Sequence, residues 1–169
     1  MESERGGGTR FTVVLPAAKL VPDEVVQEAI SEPRPNLRAG TVLVVDDDVM
    51  VGTVIRRILG KEHEVIVVSE GQKAIELLRG GNRFDVILCD LMMPQVTGMD
   101  IHAALSKDLP ELAHRMVFVT GGAFTPAAQH FLDAVPNRRL EKPFSPQNLR
   151  ALVQGFVQES LGQSYLRRN

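Results

Sequence analysis

Thr41-Val42-Leu43-Val44-Val45-Asp46-Asp47-Asp48 is an apolar run closed by three acids, and its reading decides the fold. Aliphatic residues in unbroken succession suit a strand covered on both faces, as in a parallel sheet flanked by helices. A second run downstream, Phe84-Asp85-Val86-Ile87-Leu88-Cys89, is closed by Asp90. Acids that end two buried strands on the same edge of a parallel sheet converge in space. Such a cluster repels itself unless a cation balances it, and it offers a carboxylate as a nucleophile.

Outward from the first strand, two hydrophobic periods alternate. Val51, Val54, Ile55, Ile58 and Leu59 recur at helical spacing until Gly60, and Val65 to Val68 form the next strand. Ala74, Ile75, Leu77 and Leu78 mark a second helix stopped by Gly80 and Gly81, before the strand Val86 to Cys89. A third helix starts near Gly98 with Ile101, Ala104 and Leu105 inward, and Met116 to Val119 form a fourth strand. Thr125-Pro126 and Ser145-Pro146 are cap-plus-proline starts for two more helices, with a short strand centred on Leu140 between them. The last helix carries one apolar stripe, Leu149, Leu152, Val153, Phe156 and Val157. Strands alternating with helices in this way predict an open, doubly wound α/β domain with a five-stranded parallel sheet.

Before that domain the chain reads differently. Residues 1–10 are polar and glycine-rich, Phe11 to Leu15 form a short apolar run stopped by Pro16, and prolines and acids dominate from Pro22 to Gly40. The stretch around Val25, Val26, Ala29 and Ile30 holds a helical turn or two at most, within what is mainly a linker. With 169 residues, one sizeable core is expected. A formal net charge of -2 leaves no global field to steer the chain to nucleic acid or anionic lipid. Cys89 is the lone cysteine and sits within an apolar run, which fits a small buried hydrophobe in a reducing compartment. No stretch is long and apolar enough to cross a bilayer. The expectation is a cytoplasmic chain without direct membrane contact, free-standing or belonging to a membrane-anchored parent.

Right-handed crossovers bring the C-terminal ends of all the strands to one edge. Asp46, Asp47, Asp90, Thr120 and Lys142 all follow strands and so share it. Mg²⁺ is the natural counter-ion, being hard, oxygen-seeking and content with one or two carboxylates. Asp47 and Asp90 are candidate direct ligands, Asp46 acts mainly through water, and Met92 offers only its backbone carbonyl. Asp48 is expected to cap the following helix. Asp90 is then placed to accept a phosphoryl group, whose three equatorial oxygens fall to the metal, to Lys142 and to the Thr120 hydroxyl. Gly121 and Gly122 leave the space above that hydroxyl open. The edge lacks a positioned general base, so the donor must already be activated. His63, His102, His114 and His130 are scattered without ligand spacing and read as solvated or helix-surface residues.

The motifs Val44-Val45-Asp46-Asp47-Asp48, Cys89-Asp90-Leu91-Met92-Met93-Pro94 with Gly98, Val119-Thr120-Gly121 and Glu141-Lys142-Pro143-Phe144 resemble the receiver domain of two-component response regulators. That resemblance implies a flavodoxin-like fold with strand order 2-1-3-4-5 and five helices over residues 41–159, followed by a tail, 160–169. It implies that Asp90 takes a phosphoryl group from a kinase phosphohistidine, with Mg²⁺ (or Mn²⁺) bound by Asp46, Asp47, Asp90 and the Met92 carbonyl. Thr120 and Lys142 would contact the acyl phosphate. The family usually places an aromatic switch residue three positions before the lysine, where this chain has Arg139. Met92 is bulky and apolar where the family lines the path of the hydrolytic water, which implies slow self-dephosphorylation.

Gly6-Gly7-Gly8-Thr9-Arg10-Phe11-Thr12-Val13-Val14-Leu15-Pro16 looks like the last glycine-rich box and terminal strand of a histidine kinase ATP-binding domain. Residues 1–16 would then be a remnant of that domain and 17–40 a linker, making the chain the C-terminal piece of a hybrid sensor histidine kinase. This fragment would have no kinase activity of its own. The implied partners are a histidine kinase core, in cis, and a histidine phosphotransfer protein, with the domain a monomer or weak dimer. Two rivals stand beside this reading. A receiver acting only as a docking module would need none of the charge chemistry. A haloacid-dehalogenase-type phosphatase would use Asp46 as nucleophile, but it needs an acidic pair beyond the lysine, and Glu159 is the only acid after Lys142.

Overall fold

A computed structural model describes residues 2–4, 8–10, 39–122 and 125–166. The chain divides into two compact units, Met1–Leu37 and Arg38–Asn169. In the first, Glu2–Glu4 and Gly8–Arg10 pair as a short antiparallel ladder, Ser3 opposite Thr9. The sequence reading placed no strand there. Its strand at Phe11 to Leu15 and its linker through residue 38 lie outside the described residues.

In the second unit, β1 (Thr41–Val45) leads through α1 (Val49–Leu59) to β2 (Glu64–Val68), and through α2 (Gly71–Arg79) to β3 (Val86–Asp90). Next come α3 (Gly98–Asp108), a five-residue helix Pro110–His114, β4 (Met116–Thr120), α4 (Pro126–Ala134), β5 (Arg139–Glu141) and α5 (Pro146–Leu166). All five strands are parallel, in the order β2-β1-β3-β4-β5. The chain is thus the doubly wound, flavodoxin-like α/β sheet that the sequence predicts.

Strand alternation sorts the core into two layers. Leu43, Val45, Ile87, Cys89 and Phe118 face α2, α3 and α4, packing on Ala74, Leu78, Ile101, Leu105 and Leu132. Val42, Val44, Val86, Leu88, Val117 and Val119 face α1 and α5, packing on Ile55, Leu59, Leu149 and Val153. Each such side chain contributes about 1.5–3 kcal/mol on full burial. That two-sided burial is why β1 and β3 read as continuous apolar runs.

The helix starts follow their caps. Asp48 accepts a hydrogen bond from the Met50 amide, Thr125 from the Ala128 amide and Ser145 from the Asn148 amide. Thr97 and Asp100 form a reciprocal capping box at α3. Pro110 cannot continue α3, so the chain restarts there as the five-residue helix, which the sequence reading did not anticipate. Helix α5 continues through Leu166, past the residue-159 boundary drawn from the sequence. The buried Ser160 hydroxyl donates to Asp85 at 2.6 Å, and the other Asp85 oxygen accepts from the Thr41 amide at 2.9 Å.

The histidines correct one expectation. His114 and His130 are exposed, whereas His102 is half-buried. Its ring meets Phe118 and Phe131 edge-on at 5.7 and 5.4 Å, and those two rings are 5.2 Å apart. His63 is also half-buried, its Nδ1 accepting from the Gly40 amide at 3.1 Å. An isolated histidine on a helix shows only its own period, and ring partners from β4 and α4 are tertiary facts.

Candidate functional site at the carboxyl edge of the sheet

Strands β3 and β4 each run one residue further than their apolar stretch. Asp90 and Thr120 are therefore the last residues of strands, held in register opposite Val119 and Glu141 respectively. Asp46 follows β1 directly and is tied to β2 by its amide, which donates to the Val68 carbonyl. Lys142 follows β5, and its amide donates to the Thr120 carbonyl at 2.6 Å. The Lys142–Pro143 peptide is cis. Four chemically active residues thus stand on main chain that the sheet fixes, which suits a site needing little reorganisation.

Lys142 Nζ lies 2.8 Å from Asp46 Oδ2 and 2.8 Å from Asp90 Oδ1. The second Asp46 oxygen accepts from the Asp48 amide at 3.0 Å, and the second Asp90 oxygen from the Met92 amide at 2.8 Å. Burial pushes the Asp46 carboxyl above its ordinary range, although Lys142 and the Asp48 amide work against the rise. Burial pulls Lys142 the other way, but the hydrogen bonds and charges of Asp46 and Asp90 together outweigh it and raise the ammonium pKa. The lysine therefore stays cationic and partly neutralises the acids.

Thr120 supplies the most telling detail. It is 2% exposed, and its hydroxyl oxygen has no hydrogen-bond partner among the described residues. An orphaned buried hydroxyl is costly unless something else accepts from it. It borders a pocket shared by Asp90, Met92, Gly121 and Lys142. Among the described residues, a side chain at Gly121 or Gly122 would meet nothing within 4 Å, so both glycines border open space. Met92 reaches the same rim and is 45% exposed.

The sequence-predicted residues do not all gather equally. Asp46, Asp90, Thr120 and Lys142 come together, with Met92 at the rim. Asp47 is exposed and stands outside the set touching Lys142. Among the described residues, no cluster of three or more His, Cys, Asp or Glu side chains is arranged to hold a metal ion. Two carboxylates at a shared edge still fit the chemistry of Mg²⁺, which fills most of its octahedron with water, backbone carbonyl and phosphate oxygen. Arg139 lies at the expected switch position on β5, exposed, with its guanidinium donating to the Leu132 carbonyl and 3.4 Å from the Asp133 carboxylate. The Asp48 and Met92 amides were missed by sequence reasoning, because main-chain donors leave no trace in residue identity.

An open parallel sheet that assembles acids, a threonine and a lysine at its carboxyl edge defines a doubly wound α/β protein with its ligand site in that crevice. The chain belongs to the response regulator receiver domain family, whose profile matches residues 42–154. It is 33% identical over 156 residues to the aerobic respiration control sensor protein ArcB of Escherichia coli K12, covering 91% of this chain and 20% of that protein. To the sensor kinase CckA of Brucella abortus it is 26% identical over 167 residues, covering 94% of this chain and 17% of that one. The chain thus spans about a fifth of the length of these relatives. The receiver domain of the Francisella response regulator 1452 superposes with a TM-score of 0.61 at 25% identity, covering 72% of this chain and 98% of that one. Membership places the chain in two-component signalling. Among the described residues, no helix is long and apolar enough to cross a membrane.

Proposed function

We propose that Asp90 is the phosphoacceptor of a receiver that takes its phosphoryl group from a kinase phosphohistidine. The unpartnered Thr120 hydroxyl, buried beside Asp90 and Lys142, carries this reading. A phosphoryl oxygen is the acceptor that this hydroxyl lacks, and Lys142 is the cation that a second oxygen needs. An Asp90 oxygen forms the new bond to phosphorus as the bond from phosphorus to the imidazole nitrogen breaks, and the leaving imidazole takes a proton from water. A carboxylate nucleophile needs no base to activate it, which suits a site built without one. Catalysis then rests on placing donors around the equatorial oxygens, with Gly121 leaving room for them.

Asp47 and Asp90, with the Met92 carbonyl and with Asp46 mainly through water, would hold Mg²⁺ (or Mn²⁺). When bound, the ion supplies neutralising charge to the acids and to the incoming phosphoryl oxygens. The parent is read as a hybrid sensor kinase, with a histidine kinase core in cis as donor, a histidine phosphotransfer protein as onward partner and residues 1–16 a piece of an ATP-binding domain. The match to ArcB over 156 residues, well beyond the receiver segment 42–154, supports that context.

The deciding experiment offers radiolabelled phosphohistidine from a kinase core to the wild-type chain and to Asp90→Asn. Label is expected on the wild type alone, and base should remove it, as it does an acyl phosphate. Equal labelling of Asp90→Asn would overturn the assignment, and loss on Asp46→Asn with Asp90→Asn still labelled would favour the dehalogenase-type reading instead.

A further inference from the structure

Arg139 and Phe118 are partners in register, so both side chains leave the sheet on the face covered by α3 and α4. Helix α4 has no basic residue in its own last turn, where its closing carbonyls carry the negative end of the helix dipole. Arg139 brings the missing cation from the neighbouring strand. Its guanidinium donates to the Leu132 carbonyl and stands 3.4 Å from the Asp133 carboxylate, two groups on adjacent residues of that turn. Both contacts are made by one nitrogen, Nη2, which bridges the last-turn carbonyl and the carboxylate beside it. The same turn is held from the other side, because Leu132 is fully buried and Phe131 packs edge-on to both Phe118 and His102.

We infer that Arg139 is a clamp fastening the C-terminal turn of α4 to β5, and that it stays closed whether or not Asp90 is loaded. An aromatic ring at this position has only packing to hold it and can swing. A guanidinium whose Nη2 bridges a helix-end carbonyl and the neighbouring carboxylate must give up both contacts to move away. Loading of Asp90 is therefore felt at Thr120 and Lys142, while the end of α4 presents a constant surface. The second half of this inference rests on the phosphoacceptor reading; the clamp itself does not.

Backbone amide hydrogen exchange on the full chain tests both halves, with beryllofluoride plus Mg²⁺ as the loading probe. In unloaded protein, Arg139→Ala should speed exchange of the Leu132 to Val135 amides about tenfold, as expected when a charge-assisted bond closing a helix end is removed. Arg139→Lys should fall between. If Arg139→Ala does not fold, Asp133→Asn and Arg139→Lys give the same comparison at smaller amplitude. In the wild type, those amides should exchange at the same rate with and without beryllofluoride, while the Met92 and Gly121 amides become protected. Unchanged exchange in all the variants would overturn the clamp. Wild-type acceleration on loading, up to the Arg139→Ala rate, would overturn its permanence. Absence of any protection at Met92 and Gly121 would overturn the phosphoacceptor reading, with the unloaded comparison still deciding the clamp.

Discussion

Lys142 solves at rest a problem that Asp46 and Asp90 create. Their side chains are 3% and 13% exposed and would repel each other without the ammonium at 2.8 Å from both. Breaking a buried pair of this kind typically costs about 3–5 kcal/mol, because a charge is left uncompensated. A different residue carries the pH dependence. Burial lowers the pKa of His102 below its ordinary 6.5, with His114 adding to the fall and Asn137 opposing it. The unfolded chain then binds the proton more readily than the folded one, so the contribution is complete above pH 6.5 and is lost as pH falls below it. His102→Phe keeps a ring between Phe118 and Phe131 and removes the titration. Its urea midpoint should fall less steeply than the wild type's as pH drops through that window, with His63, whose pKa burial also lowers, contributing to the remaining slope. Identical slopes would show that the ring environment of His102 does not set its protonation. The acids, Thr120 and Lys142 were legible in the sequence because each ends an apolar run. The cage around His102 was not, because its walls come from two other elements, β4 and α4.

The elements place the site through their ends. Gly98 starts α3 with its amide donating to the Leu91 carbonyl, and a Cβ there would lie 2.4 Å from the Asp90 carbonyl and 3.1 Å from Leu91 Cα. Backbone on backbone cannot give way as a flexible side chain does. Gly98→Ala should therefore cost about 1–3 kcal/mol, the usual range for overpacking, and should slow labelling of Asp90 by shifting its main chain. A urea melt and a phosphotransfer time course check this, and wild-type values in both would show that the loop relaxes freely. Helix and strand existence was readable from periodicity and from caps such as Asp48, Thr125 and Ser145. The restart at Pro110 was not, since five residues show too little of a period to register. Nor was the hold of Arg139 on α4, where a lone basic residue in a three-residue strand gives no hint of the helix end it reaches.

At the scale of the whole molecule, the lifetime of the loaded state decides what the domain can do. Met92 lies on the rim beside Asp90, half exposed and without a polar atom in its side chain able to orient water. The acyl phosphate is expected to persist for minutes or longer in Mg²⁺, and Met92→Glu or Met92→Asn should shorten it. Loss of wild-type label within seconds would sink the idea. A long lifetime suits a domain that stores a phosphoryl group until a partner collects it.

The Asp85 carboxylate gives the molecule one more property. It holds the Thr41 amide, where the chain enters the sheet, and the Ser160 hydroxyl on the last helix. Gly40 is pressed against the same helix, with a Cβ there lying 2.3 Å from Val157 Cγ2. The way in and the way along α5 are therefore stapled together, at the opposite edge of the sheet from Asp90. Movement of either segment is thus resisted by the Asp85 carboxylate, away from Asp90. One aspartate outside the chemistry thus couples the start of the first strand to the last helix.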